Sequence, residues 1–578
     1  MNHFSWIWNY LKKHIAMIIL ALFLLLLNSI LVIINPYLSS ILIDDVIYGQ
    51  QDDLLVPILA TMIGLTLFRT IIRYSYQVMF DSIGQRTLFK LRQDMYQKLN
   101  ELDFDYFNHT RVGDIMARMT GDTEAVRHFV SWSSYNILES IIWFLTAIVI
   151  MGLINWQLML ALVAVTPLIF ILAMNLSKES HPAFYEIRES FSRLNSMVEE
   201  NIGGNRVVKA FAREEYEKEK FTRHNLDYKQ RNLDSAKISQ KYLPLLEFLA
   251  SILNVITLLV GGFLVIRQQM TLGELVAFNG YLWMLNNPMR MIGWLVNDYQ
   301  RFLAAAHKIR QLLYRKPQIP IKNDENTLEL KGNIEFKQVS FHFSDDPSHN
   351  ILTNINFSVN SGMTVGIIGE TGAGKSTLVN LIGRYYDPTE GNVLIDGIDI
   401  KDYPVRQLRE NIAMVMQDVF LFSNTITDNI AFGNPFADGE YIRNMAKIAD
   451  ADSFISQMPL GYDTIVGERG VGLSGGQKQR ISLARALTKN PSILILDDTT
   501  SAVDMETEAK IQLELSRMTQ TKTTFIIAHR ISSVREADLI LVLDKGEIIE
   551  RGTHGELVEK RGHYYDVYQR QLGLEGVS

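Results

Sequence analysis

The distribution of long apolar runs constrains this chain more than any other feature. A helix needs roughly 20 apolar residues to cross a bilayer core about 30 Å thick. Six segments of this character crowd the first 300 of the 578 residues, and none follows them. They are Ile15–Ile34, Leu54–Phe80, Ile137–Ile154, Leu158–Met174, Leu245–Ile266 and Leu275–Val296. The N-terminal half therefore predicts a bundle of six membrane-spanning helices embedded in a lipid bilayer.

The links between these runs indicate how the bundle is oriented. Short links follow spans three and five, whereas the links after spans two and four are long, polar and helix-prone. The link Tyr37–Asp53 contains four Asp residues but neither Lys nor Arg, while the link after span two is rich in both. Its basic residues are Arg86, Lys90, Arg92, Lys98, Arg111, Arg118 and Arg127. The positive-inside rule predicts a multi-pass protein of the cell membrane with both termini in the cytoplasm.

Charged residues interrupt several of the apolar runs, among them Arg69, Arg73, Glu139 and Glu247. A central arginine costs about 2.5–3.5 kcal/mol on membrane-insertion scales, so such residues should face protein or water. They fit either a polar surface along a translocation path or structural ion pairs between helices. The Met and aromatic residues near Tyr281–Met291 are equally ambiguous, since they suit a loose apolar pocket or ordinary packing.

The overall composition excludes several classes of function. The formal net charge of −7 argues against nucleic acid as a main partner, because phosphate-binding surfaces need a basic excess. The absence of Cys removes disulfides, thiolate metal sites and cysteine nucleophiles. No small-residue cleavage site follows the first apolar run, so we interpret that run as a span and not as a secretory signal.

A polar segment with two prolines separates the apolar half from a region of different pattern. We predict a transmembrane domain over 1–314, a linker over 315–328 and a soluble domain over 329–578. In the soluble domain, β-branched runs alternate with helical patterns, which indicates an α/β domain with a mainly parallel sheet. The predicted strands are Ile334–Phe341, Thr364–Ile368, Val393–Ile395, Ile412–Met416, Ile493–Leu496, Thr524–Ile527 and Leu539–Leu543.

A glycine-rich loop follows the second of these strands. The segment 369–377 matches GxxxxGK[ST] and precedes a helix-like run, which is the strand–loop–helix context that the motif requires. Glycines let backbone N–H groups close around phosphates, the Lys reaches the β and γ phosphates, and the Ser hydroxyl binds Mg²⁺. The predicted ATP-contacting residues are Gly369, Gly372, Gly374, Lys375, Ser376 and Thr377.

A second acidic element completes the predicted magnesium site. The apolar strand that begins at Ile493 ends in Asp497, the expected outer-shell partner for Mg²⁺ in a phosphate-loop NTPase. Buried strands also end in Asp for reasons of turn geometry, so this assignment depends on the phosphate loop. The predicted cofactors are ATP and Mg²⁺.

The peptide Leu473–Arg480 brings in a resemblance to a known family. It contains Ser–Gly–Gly–Gln, and with the phosphate loop it resembles the ABC ATPases over about residues 330–575. The resemblance implies an α/β P-loop NTPase fold, and a signature that completes an ATP site held by a partner subunit. The signature residues are Ser474, Gly475, Gly476 and Gln477.

Further positions match other motifs of the same family. By resemblance, Phe343 stacks on adenine, and Gln417 lies in the Q-loop, which senses Mg²⁺ and contacts the membrane domain. Glu468 resembles the X-loop found in exporters. Asp504 belongs to a D-loop, and His529 is the switch histidine near the γ phosphate.

The N-terminal half resembles the type IV ABC exporter fold, with six helices and two cytoplasmic coupling helices. By position, these coupling helices should lie near Tyr106–Asp114 and Phe211–Tyr216. In that fold the fourth and fifth helices cross to the partner subunit.

One position departs from the family pattern. After Asp497 the family has a Glu that polarises the attacking water, whereas this chain has Asp498. The shorter side chain withdraws the carboxylate by roughly 1–1.5 Å, and a displacement near 1 Å can cost on the order of 100-fold in rate. We therefore expect this chain's own site to bind ATP well and hydrolyse it slowly.

The intact signature beside a weakened base predicts a heterodimer with a second ABC half-transporter that supplies the catalytic Glu. The chain then resembles the degenerate-site half of bacterial multidrug exporters, with a small amphipathic substrate. A slow homodimer that exports lipid or peptide, and a channel-like or regulatory ABC protein, stay open as alternatives. The six spans exclude a soluble DNA-repair ATPase.

Overall fold

The computed structural model of this chain describes residues 3–319, 329–467, 470, 472–499, 505–518 and 522–572. The chain divides into two compact units. The first comprises Met1–Asn100 and Val112–Arg315. The second comprises Lys316–Ser578 together with the short segment Glu101–Arg111, which precedes it in the sequence by about 200 residues.

The first unit consists of helices throughout its described residues. Its α-helices are His3–Leu11, Ile15–Leu31, Ile34–Ile41, Leu55–Glu101, Val112–Ala117, Thr123–His128, Ser134–Ile154, Trp156–Val163, Thr166–Gly203, Asn205–Ala210, Glu214–Ile266 and Leu272–Leu313. Short π-helical turns at Leu42–Tyr48, Arg118–Asp122 and Phe129–Ser133 continue some of them without a break.

Five helical runs of the described chain are long and apolar enough to cross a membrane, and they contain the first five predicted spans. These runs are His3–Tyr48, Asp52–Glu101, Val112–Ile154, Trp156–Gly203 and Glu214–Ile266. The sixth predicted span lies within the helix Leu272–Leu313. Its Asn, Pro and Arg side chains lower its hydropathy, while Phe278 and Leu285 are fully buried in the core of the unit.

Several of these helices are much longer than a bilayer requires. Leu55–Glu101 has 47 residues and Glu214–Ile266 has 53, against the roughly 20 that a span needs. The polar parts of Thr166–Gly203 and Glu214–Ile266 lie side by side and are joined through Asp227, which accepts hydrogen bonds from Ser190 at 2.8 Å and Arg193 at 3.1 Å. The sequence prediction of long helical extensions is therefore confirmed.

The two short links begin new helices through capping side chains. Asn155 accepts hydrogen bonds from the backbone N–H groups of Gln157 and Leu158, both at 3.1 Å. Thr271 forms a capping box with Glu274 at the start of the last long helix. Each cap satisfies N–H groups that a helix start leaves without partners.

The charged residues inside the spans differ in their surroundings. Glu139 is 2% exposed and accepts a hydrogen bond from the Tyr76 hydroxyl at 3.0 Å, which joins two membrane helices. This contact favours the structural interpretation for Glu139. Glu247 and Arg73 are exposed in the single chain, and Arg69 is half-buried.

A short helix lies at or next to each of the two predicted coupling helices. A short helix Phe104–His109 overlaps the first prediction. The second prediction, near Phe211–Tyr216, covers the turn at residues 211–213 and the first residues of the helix that begins at Glu214, and the short helix Asn205–Ala210 directly precedes it. The preceding helix ends at Gly203, with Gly204 as its C-cap.

The second unit contains two sheets. Its strands are β1 Ile334–Phe341, β2 Leu352–Val359, β3 Thr364–Gly369, β4 Glu390–Ile395, β5 Ile398–Asp399, β6 Ile412–Val415, β7 Ile493–Asp497, β8 Thr523–Ile527, β9 Leu539–Asp544 and β10 Glu547–Gly552. Strands β9, β3, β8, β7 and β6 form a parallel sheet in that order, and β10 pairs antiparallel with β9 at its edge. A separate antiparallel sheet has the order β2-β1-β4-β5.

The mainly parallel arrangement holds for one sheet, but the predicted strands Ile334–Phe341 and Val393–Ile395 belong to the antiparallel one. A run of β-branched residues shows where a strand lies and not its direction or partner, which long-range packing decides. The helices of this unit are Phe104–His109, Lys375–Ile382, Val405–Glu410, Ile426–Ala431, Gly439–Ile448, Asp452–Ser456, Gly475–Thr488, Met505–Met518, His554–Lys560 and His563–Leu572.

Candidate functional site

The glycine-rich loop connects β3 to the helix Lys375–Ile382, as predicted. Gly372 and Gly374 have φ angles of +86° and +95°, which only glycine adopts without strain. A Cβ on Gly374 would lie 2.8 Å from Leu352 Cδ2. The tight loop therefore presents backbone N–H groups at a helix N-terminus, where an anion is favoured. Thr377 lies in the first turn of the same helix.

Lys375 lies within this loop and is 7% exposed. Its Nζ donates to the carbonyl oxygens of Gly369 and Glu370, both at 2.8 Å. Burial lowers the pKa of the Lys375 ammonium, and the nearby carboxylates of Asp497 and Asp498 oppose this effect. A cation held in poorly solvating surroundings favours an anionic partner such as a phosphate group.

The predicted magnesium residues Ser376 and Asp497 meet at the carboxyl end of the parallel sheet. Every residue of β7 is buried, and Asp497 at its end is 8% exposed. Burial raises the pKa of the Asp497 carboxyl, while a hydrogen bond from the Ser376 hydroxyl acts in the opposite direction. A buried carboxylate beside a hydroxyl is an oxygen-donor set that suits Mg²⁺. Gln417 is exposed two residues beyond β6, at the same edge of the sheet.

Among the described residues, no group of three His, Asp or Glu side chains forms a metal site by itself. A magnesium ion at Ser376 and Asp497 would therefore need further oxygen ligands, which the phosphates of ATP and water can supply.

Asp498 has its backbone fixed from two sides. Its φ is +50°, its N–H donates to the Ile527 carbonyl at 3.0 Å, and its carbonyl accepts from Gln479 Nε2 at 3.2 Å. Gln479 lies on the helix that follows the signature, and its contact with Asp498 was not predicted from the sequence. The bond connects the signature helix to the position after the magnesium carboxylate.

His529 follows β8 and is exposed, and other residues hold the loop around it. The Gln571 side chain donates to the His529 carbonyl at 2.7 Å and accepts from the Ile531 N–H at 2.8 Å. Glu508, which is 4% exposed, accepts from the Ser533 hydroxyl and lies 3.5 Å from Arg530. Gln571 and Glu508 are absent from the predicted site, because nothing in their local sequence marks a contact with a loop elsewhere in the chain.

The signature begins a helix, Gly475–Thr488. The Ser474 hydroxyl accepts from the Gln477 N–H at 3.3 Å, and Gln477 Oε1 accepts from the Ser474 N–H at 2.9 Å. This capping box fixes an exposed helix N-terminus that begins with Gly475 and Gly476. Its open N–H groups suit an anion brought by another molecule.

Of the remaining predicted residues, the structure describes one, Phe343. The Phe343 ring packs against Phe341 and Tyr386, with ring centroids 5.1 and 5.5 Å away. Glu468 and Asp504 lie outside the described residues.

Comparisons with known proteins cover both units. Residues 18–289 match the family described as the ABC transporter transmembrane region, and residues 352–501 match the ABC transporter family. The ABC transporter ATP-binding protein YknU of Bacillus subtilis is 39% identical, across 95% of this chain and 94% of that protein. The probable multidrug resistance ABC transporter ATP-binding/permease protein YheI of the same organism is 37% identical, across 96% and 94%.

Two further matches bear on the type of transporter. The ATP-dependent lipid A-core flippase of Syntrophus aciditrophicus is 33% identical, across 98% of this chain and 93% of that protein. The solved structure of a bacterial Atm1-family ABC exporter with ATP bound superimposes with a TM-score of 0.82 at 27% identity, across 97% of this chain and 98% of that one. The chain therefore belongs to the ABC transporters, as a membrane-spanning transport ATPase with the type IV exporter fold and an ATP-binding domain on the same polypeptide.

Proposed function

We propose that this chain is one half of a heterodimeric exporter of amphipathic small molecules, and that its own ATP site binds Mg-ATP tightly but hydrolyses it weakly. The observation that carries the proposal is Asp498 at the position that follows the magnesium carboxylate. The division into a transmembrane domain over 1–314, a linker over 315–328 and a nucleotide-binding domain over 329–578 is part of the proposal. We also propose that both termini lie in the cytoplasm.

The binding half of the proposal rests on the phosphate loop. Lys375 would contact the β and γ phosphates, and Ser376 with Asp497 would hold Mg²⁺, with Gln417 as a further metal contact. Phe343 would stack on the adenine. The other proposed ATP contacts are Gly369, Gly372, Gly374 and Thr377, and on the partner's ATP Ser474, Gly475, Gly476, Gln477 and Asp504.

The weak-hydrolysis half rests on distance and on backbone rigidity. The Asp498 side chain is one methylene shorter than Glu, and a shortfall near 1 Å can cost on the order of 100-fold in rate. The backbone could recover that distance only by leaving its bonds to Ile527 and Gln479. His529 is proposed to contact the γ phosphate, but it does not replace a water-activating carboxylate.

The heterodimer follows from the signature. Its capping box is complete and its helix N-terminus is exposed, so this chain can complete an ATP site on a partner. A partner with the catalytic Glu would then carry most of the turnover. ATP binding would bring the two ATPase domains together, turn the membrane helices outward and release the substrate, and hydrolysis at the partner's site would reset the transporter.

The substrate class is argued from relatives and from the membrane helices. The names of two relatives include multidrug resistance and lipid A-core flippase, and both point to amphipathic molecules. Among the residues near Tyr281–Met291, Tyr281 and Met284 are at most 1% exposed, so they pack in the core of the described chain. Trp283, in contrast, is 41% exposed and lies edge-on to Trp143.

The test is the ATPase rate of this chain alone and with its partner, both in lipid vesicles. We expect a low rate alone, a high rate together, and loss of the high rate when the partner's catalytic Glu is changed to Gln. A Lys375→Ala change in this chain should abolish ATP binding at its own site. Robust hydrolysis by this chain alone would favour the homodimer and would overturn the proposal.

A further inference from the structure

A cavity of about 330 Å³ opens in the first unit between its N-terminal helix and two long helices. Its volume lies in the range of small-ligand sites. The wall comes from the helix His3–Leu11, from the polar part of Leu55–Glu101, and from the end of the last long helix. Its lining residues are Trp6, Asn9, Tyr10, Lys13, His14, Arg86, Thr87, Lys90, Asp94, Leu313 and Tyr314.

The charge around this cavity is positive and largely uncompensated. Asp94 is its acidic residue, and it is engaged by Lys90 at 2.7 Å and by the Tyr10 hydroxyl at 3.1 Å. Lys13 and Arg86 have no ion pair or hydrogen bond to any residue that the structure describes. Two free cations therefore face one cavity, together with the half-buried imidazole of His14.

A buried hydroxyl also points to a missing ligand. Thr87 is 2% exposed, and its Oγ1 has no hydrogen-bond partner within the described chain. On the same helix, the hydroxyls of Thr61, Thr66 and Thr70 each donate to the carbonyl four residues earlier, at 2.7–2.8 Å. Thr87 lacks this bond and lines the cavity, where its hydroxyl could donate a hydrogen bond to a phosphate oxygen.

The position of the cavity favours a lipid as the source of that phosphate. Lys13 and His14 directly precede the apolar run that begins at Ile15, and Arg86 lies shortly after the apolar run that ends at Phe80. Both elements therefore place their cations just outside the apolar layer, at the depth of lipid headgroups. The neighbouring apolar side chains Ile15, Ile19 and Phe23 are 42–60% exposed and offer a surface for acyl chains.

We propose that this cavity binds the phosphate headgroup of an anionic phospholipid, with Lys13, Arg86 and Thr87 as its contacts. None of the residues that line this cavity belongs to the proposed ATP site. The cavity joins the N-terminal helix to the polar part of the helix Leu55–Glu101 and to Leu313 and Tyr314, where the membrane unit ends. An occupied site would therefore stabilise the membrane unit, whichever partner the chain has.

The test measures thermal unfolding of the full-length chain in nanodiscs of phosphatidylcholine with increasing phosphatidylglycerol. We expect the Tm to rise with phosphatidylglycerol. Lys13→Gln and Arg86→Gln should each raise the lipid fraction for the half-maximal effect by about tenfold or more, since each removes a charge-assisted hydrogen bond. Arg86→Lys keeps the charge but loses the planar guanidinium. Its lipid fraction for the half-maximal effect should therefore lie between those of the wild type and Arg86→Gln.

Lys12→Gln is the matched control. Lys12 neighbours Lys13 but donates to Asn9 at 3.0 Å and does not line the cavity. Its removal should raise the lipid fraction for the half-maximal effect only about fivefold, because it removes only the general attraction of one surface cation. Equal effects of Lys12→Gln and Lys13→Gln would show non-specific attraction and would overturn the site.

Thr87→Val separates ligand binding from folding. It removes a buried hydroxyl without a partner, so the Tm in pure phosphatidylcholine should stay the same or rise, while the response to phosphatidylglycerol weakens. An unchanged response would overturn the role of Thr87. If soluble glycerol phosphate in phosphatidylcholine discs reproduced the full rise, the lipid source would be wrong, and no rise with phosphatidylglycerol would overturn the proposal altogether.

Discussion

At the level of single residues, two opposing effects act on the pKa of the Asp497 carboxyl. Burial raises its pKa, so its ionised form weakens the nucleotide-free fold. Because the folded pKa lies above the unfolded one, this loss of folding stability is present at neutral pH. It disappears as the pH falls through the folded pKa. Magnesium needs the ionised form, so protons compete with the metal at a higher pH than for an ordinary Asp.

We therefore expect the affinity for Mg-ATP to fall by about tenfold per pH unit once the pH drops below the raised pKa. Asp497→Asn should remove this pH dependence and raise the Tm of the nucleotide-free protein. Asp544→Asn, at the end of β9 in the same sheet, serves as the control. Titration of Mg-ATP binding across pH is the measurement, and a flat wild-type profile would contradict the expectation.

Asp498 gives a second residue-level prediction. Asp498→Glu restores the missing methylene, so this chain's own site should gain on the order of 10- to 100-fold in ATPase rate. The rate should be measured with a partner whose catalytic Glu is changed to Gln, so that only this site contributes. Because Asp tolerates a positive φ better than Glu does, a small loss of stability should accompany the gain.

Asp498→Asn is the companion variant. We expect it to lower an already small rate only slightly. A steep loss with Asn, and no gain with Glu, would show that Asp498 is a competent base.

At the level of elements, the start of the last long membrane helix depends on a close approach. Asp44 accepts hydrogen bonds from the Thr271 hydroxyl and from the Gly273 N–H, the latter at 2.8 Å. A Cβ on Gly273 would lie 2.3 Å from the Ser40 carbonyl oxygen. The glycine therefore allows two helical segments that are distant in sequence to meet through backbone atoms.

Gly273→Ala should lower the Tm of the purified protein, by the equivalent of about 1–3 kcal/mol of overpacking. Gly64→Ala is the matched control, because a Cβ there meets nothing within 4 Å and alanine favours a helix. Thermal unfolding of both variants in the same detergent tests the contrast. Equal Tm values for the two variants would show that Ser40 and Asp44 move aside without cost.

The elements also show how far sequence reasoning reaches. Apolar length located the spans, and motif context located the phosphate loop and the strand that ends at Asp497, because these signals are local. The direction of β1 and β4 and the contacts of Gln571 with the loop after His529 depend on residues brought together only by folding. No local pattern carries that information.

At the level of the whole molecule, the segment Glu101–Arg111 belongs with the ATPase domain, although it joins two membrane helices. Asn108 Nδ2 donates to the Tyr386 hydroxyl at 2.7 Å, and Asp105 accepts from the Ser344 hydroxyl at 2.7 Å. The Phe104 ring lies 4.7 Å from that of Tyr385. The segment that links the second and third spans is therefore part of the compact unit that contains the phosphate loop.

We expect the double change Asp105→Ala and Asn108→Ala to leave ATP binding intact and to lower the substrate moved per ATP hydrolysed, by about 2- to 30-fold. Asn100→Ala is the control, since within the described chain the Asn100 side chain bonds only inside its own helix, to the Tyr96 carbonyl at 2.9 Å. Transport and ATPase should be measured on the same vesicles. An unchanged ratio of substrate moved to ATP hydrolysed in the double variant would mean that other contacts couple hydrolysis to transport.

The way this segment is shared has a consequence for taking the protein apart. A fragment cut at residue 329 would expose the Tyr385 and Tyr386 rings and leave the Ser344 hydroxyl without its acceptor, so it would be incomplete before any ligand is added. The compact unit that contains the ATP site is therefore discontinuous in sequence. Exchange of catalytic halves between related transporters would succeed only if residues 101–111 were transplanted with them.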